Sequence, residues 1–345
     1  MTRDRRPMLL AGAGVIPLLV LAVLGGAGMR VMPSYLAAWL FVLSVPLGAL
    51  LLVGLLEAFA GEASPLLPPL RALLPLMPVA ALLGLPVLLL SGTLYDPSAW
   101  PAAGIGREWF AHTPFSLRMV VFLLIWSALA LQFSVPPRLG GRRVAAGLGF
   151  GLTLVTGTLA AYDWVMAVEP GIASSEFGLL VLAGAMLSAL SVAALLACLV
   201  DPPASYGFAG PLLILLALWM FLHFSQFLVI WSANEPHEAS WYLHRIDGLG
   251  AACLWLAVLL LLAAPVLRLP AIRPAARRRL IAAIAGLALL VRLLESFWLI
   301  TPSFRGHFTL SAADLLAAAG LIALVVGVHL AGWLPALGRR RLVRA

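Results

Sequence analysis

Charge is what this sequence has least of. Asp, Glu, Lys and Arg make up only 10% of its 345 residues, against about 25% in soluble domains, and that shortage excludes an ordinary water-soluble globular protein. Lysine is absent altogether, so all 22 basic residues are arginine. Cysteine is scarce too: Cys198 and Cys253 both lie in long apolar runs. This excludes a disulfide framework, a zinc spacing and a Cys-x-x-Cys-His attachment for covalent haem, as well as the four thiolates of an iron–sulfur cluster. The chain also lacks a Gly-rich phosphate loop, a nucleophile elbow and a His-Glu-x-x-His motif, so hydrolase or kinase chemistry of the soluble kind has no support.

What is present is apolar length. Hydrophobic residues make up 63% of the chain, mean hydropathy is +1.06, and 11 Trp with 31 Gly and 25 Pro suit helices in lipid. A spanning helix needs roughly 20 mostly apolar residues. That window predicts an all-α polytopic membrane protein, one integral membrane domain over 1–345. Its ten spans fall near 8–28, 34–58, 73–92, 116–134, 143–163, 176–200, 208–233, 247–266, 279–300 and 311–334. The first apolar run is longer than the roughly 7 to 15 residues of a signal-peptide core, so it is expected to be a retained span.

Placing the amino terminus in the cytoplasm puts sixteen arginines in cytoplasmic segments, with clusters at Arg142 and Arg143, at Arg277 to Arg279 and at Arg339 to Arg341. Five (Arg30, Arg107, Arg118, Arg245 and Arg305) fall on the other side, and Arg292 lies within a span. This is the positive-inside pattern. It predicts a multi-pass protein of the bacterial inner membrane with both termini cytoplasmic. The formal charge of +8 then reports orientation and lipid contact, and no nucleic-acid partner is expected. The acidic and His-bearing loops lie opposite: Glu235, His237 and Glu238 could suggest a metal, but their spacing is not that of a ligand set. A solvated loop or docking surface is the expectation there, and no metal site is assigned.

Ionisable groups within spans cost several kcal/mol unless they pair or face the protein interior. Arg292 and Glu295 are three residues apart, which makes them neighbours on one helix face, and an ion pair is expected. Such a pair reads either as a structural clamp or as a proton-handling carboxylate tuned by a guanidinium. His223, with Ser225 and Gln226 on the same helix, reads either as a hydrated path or as a hydrogen-bonded core histidine. His329 lies near the cytoplasmic end of the last span. His223 and His329 differ in depth by roughly 15 Å at 1.5 Å per residue, too far for both to ligate one haem iron. Asp163 and Trp164 close the fifth span, with Glu169 and Glu176 just beyond. They read as an outer boundary, with Asp163 kept as a further candidate on a proton path. Glu57 and Asp314, near span ends, are expected to reach water. The glycines of spans five and six, among them Gly149, Gly151, Gly157 and Gly184, are expected to serve helix packing.

Three stretches carry a family resemblance. The run Ala161-Tyr-Asp-Trp-Val-Met-Ala-Val-Glu-Pro170 resembles a segment of the smaller membrane subunit of bacterial alternative complex III, a quinol:cytochrome c oxidoreductase whose membrane subunits are related to those of polysulfide reductase. Phe224-Ser-Gln-Phe-Leu-Val-Ile-Trp-Ser-Ala-Asn-Glu-Pro236, continuing through Trp241-Tyr-Leu-His-Arg245, is similar to a second segment of that family, and Glu295-Ser-Phe-Trp-Leu-Ile-Thr-Pro302 to a third. Order and spacing agree over roughly 160–302. Arg292 stands where that pattern has His; an arginine does not release its proton at accessible pH, so it would tune Glu295 or hold water.

The resemblance implies two four-helix bundles with two peripheral helices, and no cofactor bound by this chain. It implies partner subunits: iron–sulfur and haem c proteins on the periplasmic side, and a larger membrane subunit carrying the quinol site, so that quinone belongs to the assembly. It also implies a proton half-channel, and the ionisable residues of the spans offer Glu295, Arg292, His223 and Asp163 as the candidates for that path. A secondary transporter, with helices broken near Pro46 or Pro86, and a purely structural anchor are the alternatives.

Overall fold

The structure is a computed structural model. It describes residues 6–26, 30–60, 64–96, 112–135, 142–169, 172, 174–246, 248–269 and 273–343, the side chains of 6, 112, 113, 202, 237 and 333–343 excepted. Arg107, Glu108, Arg138, Asp247 and the side chains of His112 and His237 therefore lie outside the described residues.

Among the described residues, ten helices are long and apolar enough to cross a membrane: Pro7–Gly26, Met32–Ala60, Leu67–Leu89, Pro114–Ser134, Arg143–Val168, Phe177–Val200, Pro203–Ala233, Gly248–Arg268, Pro274–Ile300 and Ala312–Gly332. We number them spans 1 to 10. No strand occurs among the described residues. The architecture is all-α and polytopic, as the apolar runs predict.

Proline sets several starts. It occupies the first or second helical position at Pro33, Pro236, Pro274 and Pro302, where its missing N–H costs nothing and its fixed φ suits the helix. Three starts are five or six residues earlier than the apolar windows, among them span 7 at Pro203. Span 9 opens at Pro274, because the arginines that follow lie at the helix end and reach water with their long stems, and span 3 opens at Leu67. Span 3 is also broken into Leu67–Arg71, Leu76–Leu83 and Leu85–Leu89, since each proline removes a backbone donor. Pro46, by contrast, lies inside the unbroken helix of span 2.

Spans 2 to 5 pack together as one four-helix group and spans 6 to 9 as another. The groups meet where span 2 lies against spans 6 and 9, and span 5 against span 6. At this seam Gly48 sits so close to the Ala185 backbone that any Cβ would collide with it. Spans 1 and 10 pair at the periphery. A Cβ on Gly14 would come 2.6 Å from the carbonyl oxygen of Gly320, and one on Gly327 would strike Ala11. Small residues thus let backbones approach where lipid offers no hydrophobic drive. Gly149 and Gly157 serve packing in the same way, against Phe133 and Leu182. Gly151 does not: nothing lies within 4 Å of its Cβ direction.

Candidate functional site

In span 9, Arg292 and Glu295 turn inward, each with only 6% of its surface exposed. The i, i+3 spacing brings Arg292 Nη1 onto Glu295 Oε2 as an ion pair. The other carboxylate oxygen, Oε1, accepts a hydrogen bond from the indole Nε1 of Trp219 at 3.1 Å and lies 2.8 Å from Nε2 of His223. Trp219 and His223 are one turn apart on span 7, so both reach the same acid. The His223 ring is wedged edge-on between Trp219 and Trp298, with centroids 4.8 Å and 6.0 Å away.

The Arg292 guanidinium needs room, and span 6 provides it. A Cβ on Gly184 would fall on the guanidinium itself. Arg292 Nε also donates to the Ser188 hydroxyl at 3.3 Å, and that hydroxyl donates to the carbonyl of Gly184. Gly184 therefore serves more than helix packing. Spans 6, 7 and 9 enclose one carboxylate, one imidazole and one guanidinium, and among the described residues no second acid is bonded to them. If Glu295 is ionised, His223 donates to it; a proton passing between the two would do so across a 2.8 Å contact while Arg292 holds the charge.

Further toward the end of span 9 that carries Ile300, Arg245 is fully buried. Its Nη2 donates to Glu169 Oε2 at 2.7 Å and to Ser303 Oγ at 2.9 Å, and its Nη1 to the carbonyl of Trp241 at 2.8 Å. Nε donates to the carbonyl of Trp298, whose indole returns a bond to the carbonyl of Arg245. The guanidinium stacks 4.1 Å above the Trp241 ring, a cation–π contact. Local sequence places it there. Asn234 adopts a left-handed conformation at φ 53°, one of the few residues that does so readily, and ends span 7. Glu235 is extended, and Pro236 starts the short helix Pro236–Leu243 that delivers Arg245. Burial pulls the Arg245 guanidinium below its ordinary value while the Glu169 carboxylate opposes this. Burial raises the neighbouring Tyr242 phenol well above the usual range, helped by the charge of Glu176.

Of the four residues on the expected route, the structure brings together Glu295, Arg292 and His223. Asp163 stands in the other four-helix group. It is fully buried and bonded by Arg118 of span 4, Nε to Oδ2 at 2.7 Å and Nη2 to Oδ1 at 3.0 Å. Burial and the Asp163 charge together raise the adjacent Tyr95 phenol.

Two expectations are overturned. Glu57 does not reach water: it is 1% exposed and gripped by both Arg71 and Arg142, each with a 2.9 Å contact. Asp314 is likewise buried, bound by Arg305 Nη1 at 2.7 Å and Nη2 at 2.9 Å. Both sit near span ends, but arginines from neighbouring segments fold over them and replace the water. Gln226 is buried with its Oε1 accepting from Ser174 at 3.1 Å.

Trp219, Gly184, Ser188 and Arg245 escape sequence reasoning as site residues. Only Trp219 carries a usable signal, its one-turn spacing from His223; the others act across helices. A cavity of about 1050 Å³ lies between span 1, the start of span 2 and the end of span 3, lined in part by Leu18, Leu21, Tyr35 and Tyr95. None of the four route residues lines it. Among the described residues no group of three or more His, Cys, Asp or Glu is placed to hold a metal ion. In comparisons with known proteins, no family model matches the chain and no curated protein matches it.

Proposed function

We propose that this chain is an integral membrane subunit of a quinol-oxidising respiratory complex, acting as a scaffold for redox subunits and carrying a proton route that ends at Glu295. One observation carries the reading: a carboxylate on a membrane-spanning helix, shielded from water, touches both the imidazole of His223 and the guanidinium of Arg292. Lipid-spanning helices rarely keep an acid without a use or a partner, and imidazole exchanges protons near neutrality when free. Arg292 keeps its proton; its part is to hold the charge of Glu295.

Position gives the route a direction. Glu295 lies five residues inside the end of span 9 at Ile300, roughly 8 Å along the helix at 1.5 Å per residue. The route therefore opens toward the face that carries Glu169 and Arg245, the face on which the resemblance puts the haem c and iron–sulfur partners. The three resembling segments also converge there, through the Arg245–Glu169 pair and the Arg245–Trp298 contacts.

The Gly184–Ser188 cradle favours a second reading, in which the cluster only clamps spans 6, 7 and 9. Purification in mild detergent, followed by Glu295→Gln and His223→Leu, separates the two. The first reading expects haem c and iron–sulfur polypeptides to co-elute, and proton uptake and quinol turnover to fall about a hundredfold in a complex that stays assembled. Unchanged turnover in both variants leaves the clamp, and a solitary, monodisperse protein removes the respiratory assignment.

A further inference from the structure

On the arginine-rich face, at the ends of spans 7, 8 and 9, lies a cleft of about 330 Å³. Its walls include Tyr206, Gly207, Gly210, Leu267, Arg268 and Arg277, and among the described residues no carboxylate lines it. Two guanidinium groups thus share one small space with nothing anionic on its walls to offset their repulsion. Arg277 spends Nη2 on the carbonyl of Leu269 at 2.9 Å, while its Nε is buried without a hydrogen-bond partner among the described residues. A buried donor left unmade is costly. Gly210 shapes the wall: a Cβ there would come 2.8 Å from Nη1 of Arg268, so a side chain at this position displaces the guanidinium from its place against span 7.

The surroundings narrow the ligand. Arg273, Arg278 and Arg279 are exposed alongside, adding to a positive field that draws in anions. On the same end of span 8, Leu262, Val266 and Leu269 are exposed, which gives acyl chains an apolar surface beside a polar head. We propose that this cleft binds the phosphate group of an anionic phospholipid, with Arg268 and Arg277 as its donors. Paired guanidinium groups match phosphate oxygens in geometry and charge, and basic pockets between spanning helices are suited to such heads.

Native mass spectrometry of the full chain in mild detergent tests this with three probes: dioleoylphosphatidylglycerol, dioleoylphosphatidylcholine and inorganic phosphate. The expected result is retention of phosphatidylglycerol over phosphatidylcholine, unaffected by equimolar inorganic phosphate. Retention drops about thirtyfold, the size expected for two lost arginine contacts, in the double variant Arg268→Gln with Arg277→Gln. Gly210→Leu, which fills the cleft and leaves the charge alone, lowers it similarly and stands as the test if the double variant does not fold. The charge-matched pair Arg30→Gln with Arg143→Gln, two exposed arginines away from the cleft, leaves retention intact. Equal loss in that pair, or full retention in Gly210→Leu, overturns the site, and displacement by inorganic phosphate overturns its assignment to a lipid.

Discussion

Among the described residues, each buried carboxylate is held by arginine: Glu57 by Arg71 and Arg142, Asp163 by Arg118, Glu295 by Arg292, and Asp314 by Arg305. The absence of lysine fits this chemistry, because a guanidinium forks onto both oxygens of a carboxylate and an ammonium is a point charge. Arg245 makes the fullest use of that fork, serving Glu169, Ser303 and three backbone carbonyls. Arg245→Lys keeps the charge yet leaves most of these acceptors without a donor. We expect a loss of about 1 to 3 kcal/mol, as for buried acceptors left unmade, read as a lowered unfolding midpoint in detergent. A midpoint unchanged from the parent protein would show that charge alone suffices there. Arg292–Glu295 is legible in the sequence because both partners lie on one helix face. His223–Glu295 is not, being 72 residues apart. The errors at Glu57 and Asp314 have a related cause: sequence places an acid near a span end, but not the arginine outside that helix that folds over it, nine residues away at Asp314 and 14 and 85 away at Glu57.

Among the helices, span 6 organises the site through what it omits. Gly184 leaves a notch that the guanidinium of Arg292 fills, and Ser188 one turn later supplies an acceptor. Gly184→Ala would force Arg292 out of its place, with an expected cost of about 1 to 3 kcal/mol, the range for overpacking. The fluorescence of Trp219, which shares Glu295 with Arg292, should change with it. Gly151→Ala provides the contrast, since its Cβ would meet nothing, and should stay within about 0.5 kcal/mol of the parent protein. Equal effects at the two glycines would refute the notch. The ten spans themselves can be read directly from apolar length. What sequence leaves open is which glycine faces a partner helix and which faces outward, because almost every residue of a lipid-embedded helix is apolar and periodicity no longer marks the inner face.

At the scale of the whole molecule, polarity is divided between two faces. The ends that carry Arg71, Arg142, Arg268 and Arg277 form one, and those that carry Asp163, Glu169, Arg245 and Asp314 form the other. From the arginine bias we propose that the first faces the cytoplasm. Cysteines introduced singly as Arg143→Cys and Thr309→Cys, with Cys198 and Cys253 replaced, should label with an impermeant thiol reagent from the inner and the outer side of the membrane, respectively. The reverse pattern would invert the protein and point the Glu295 route the other way. The peripheral pairing has its own consequence. Span 1 leaves the ribosome well before span 10, yet Gly14 and Ala11 find their close contacts on Gly320 and Gly327 of span 10. During synthesis span 1 must therefore wait until the eight spans between them have been made and span 10 emerges, so a stop codon ahead of span 10 would leave this belt open.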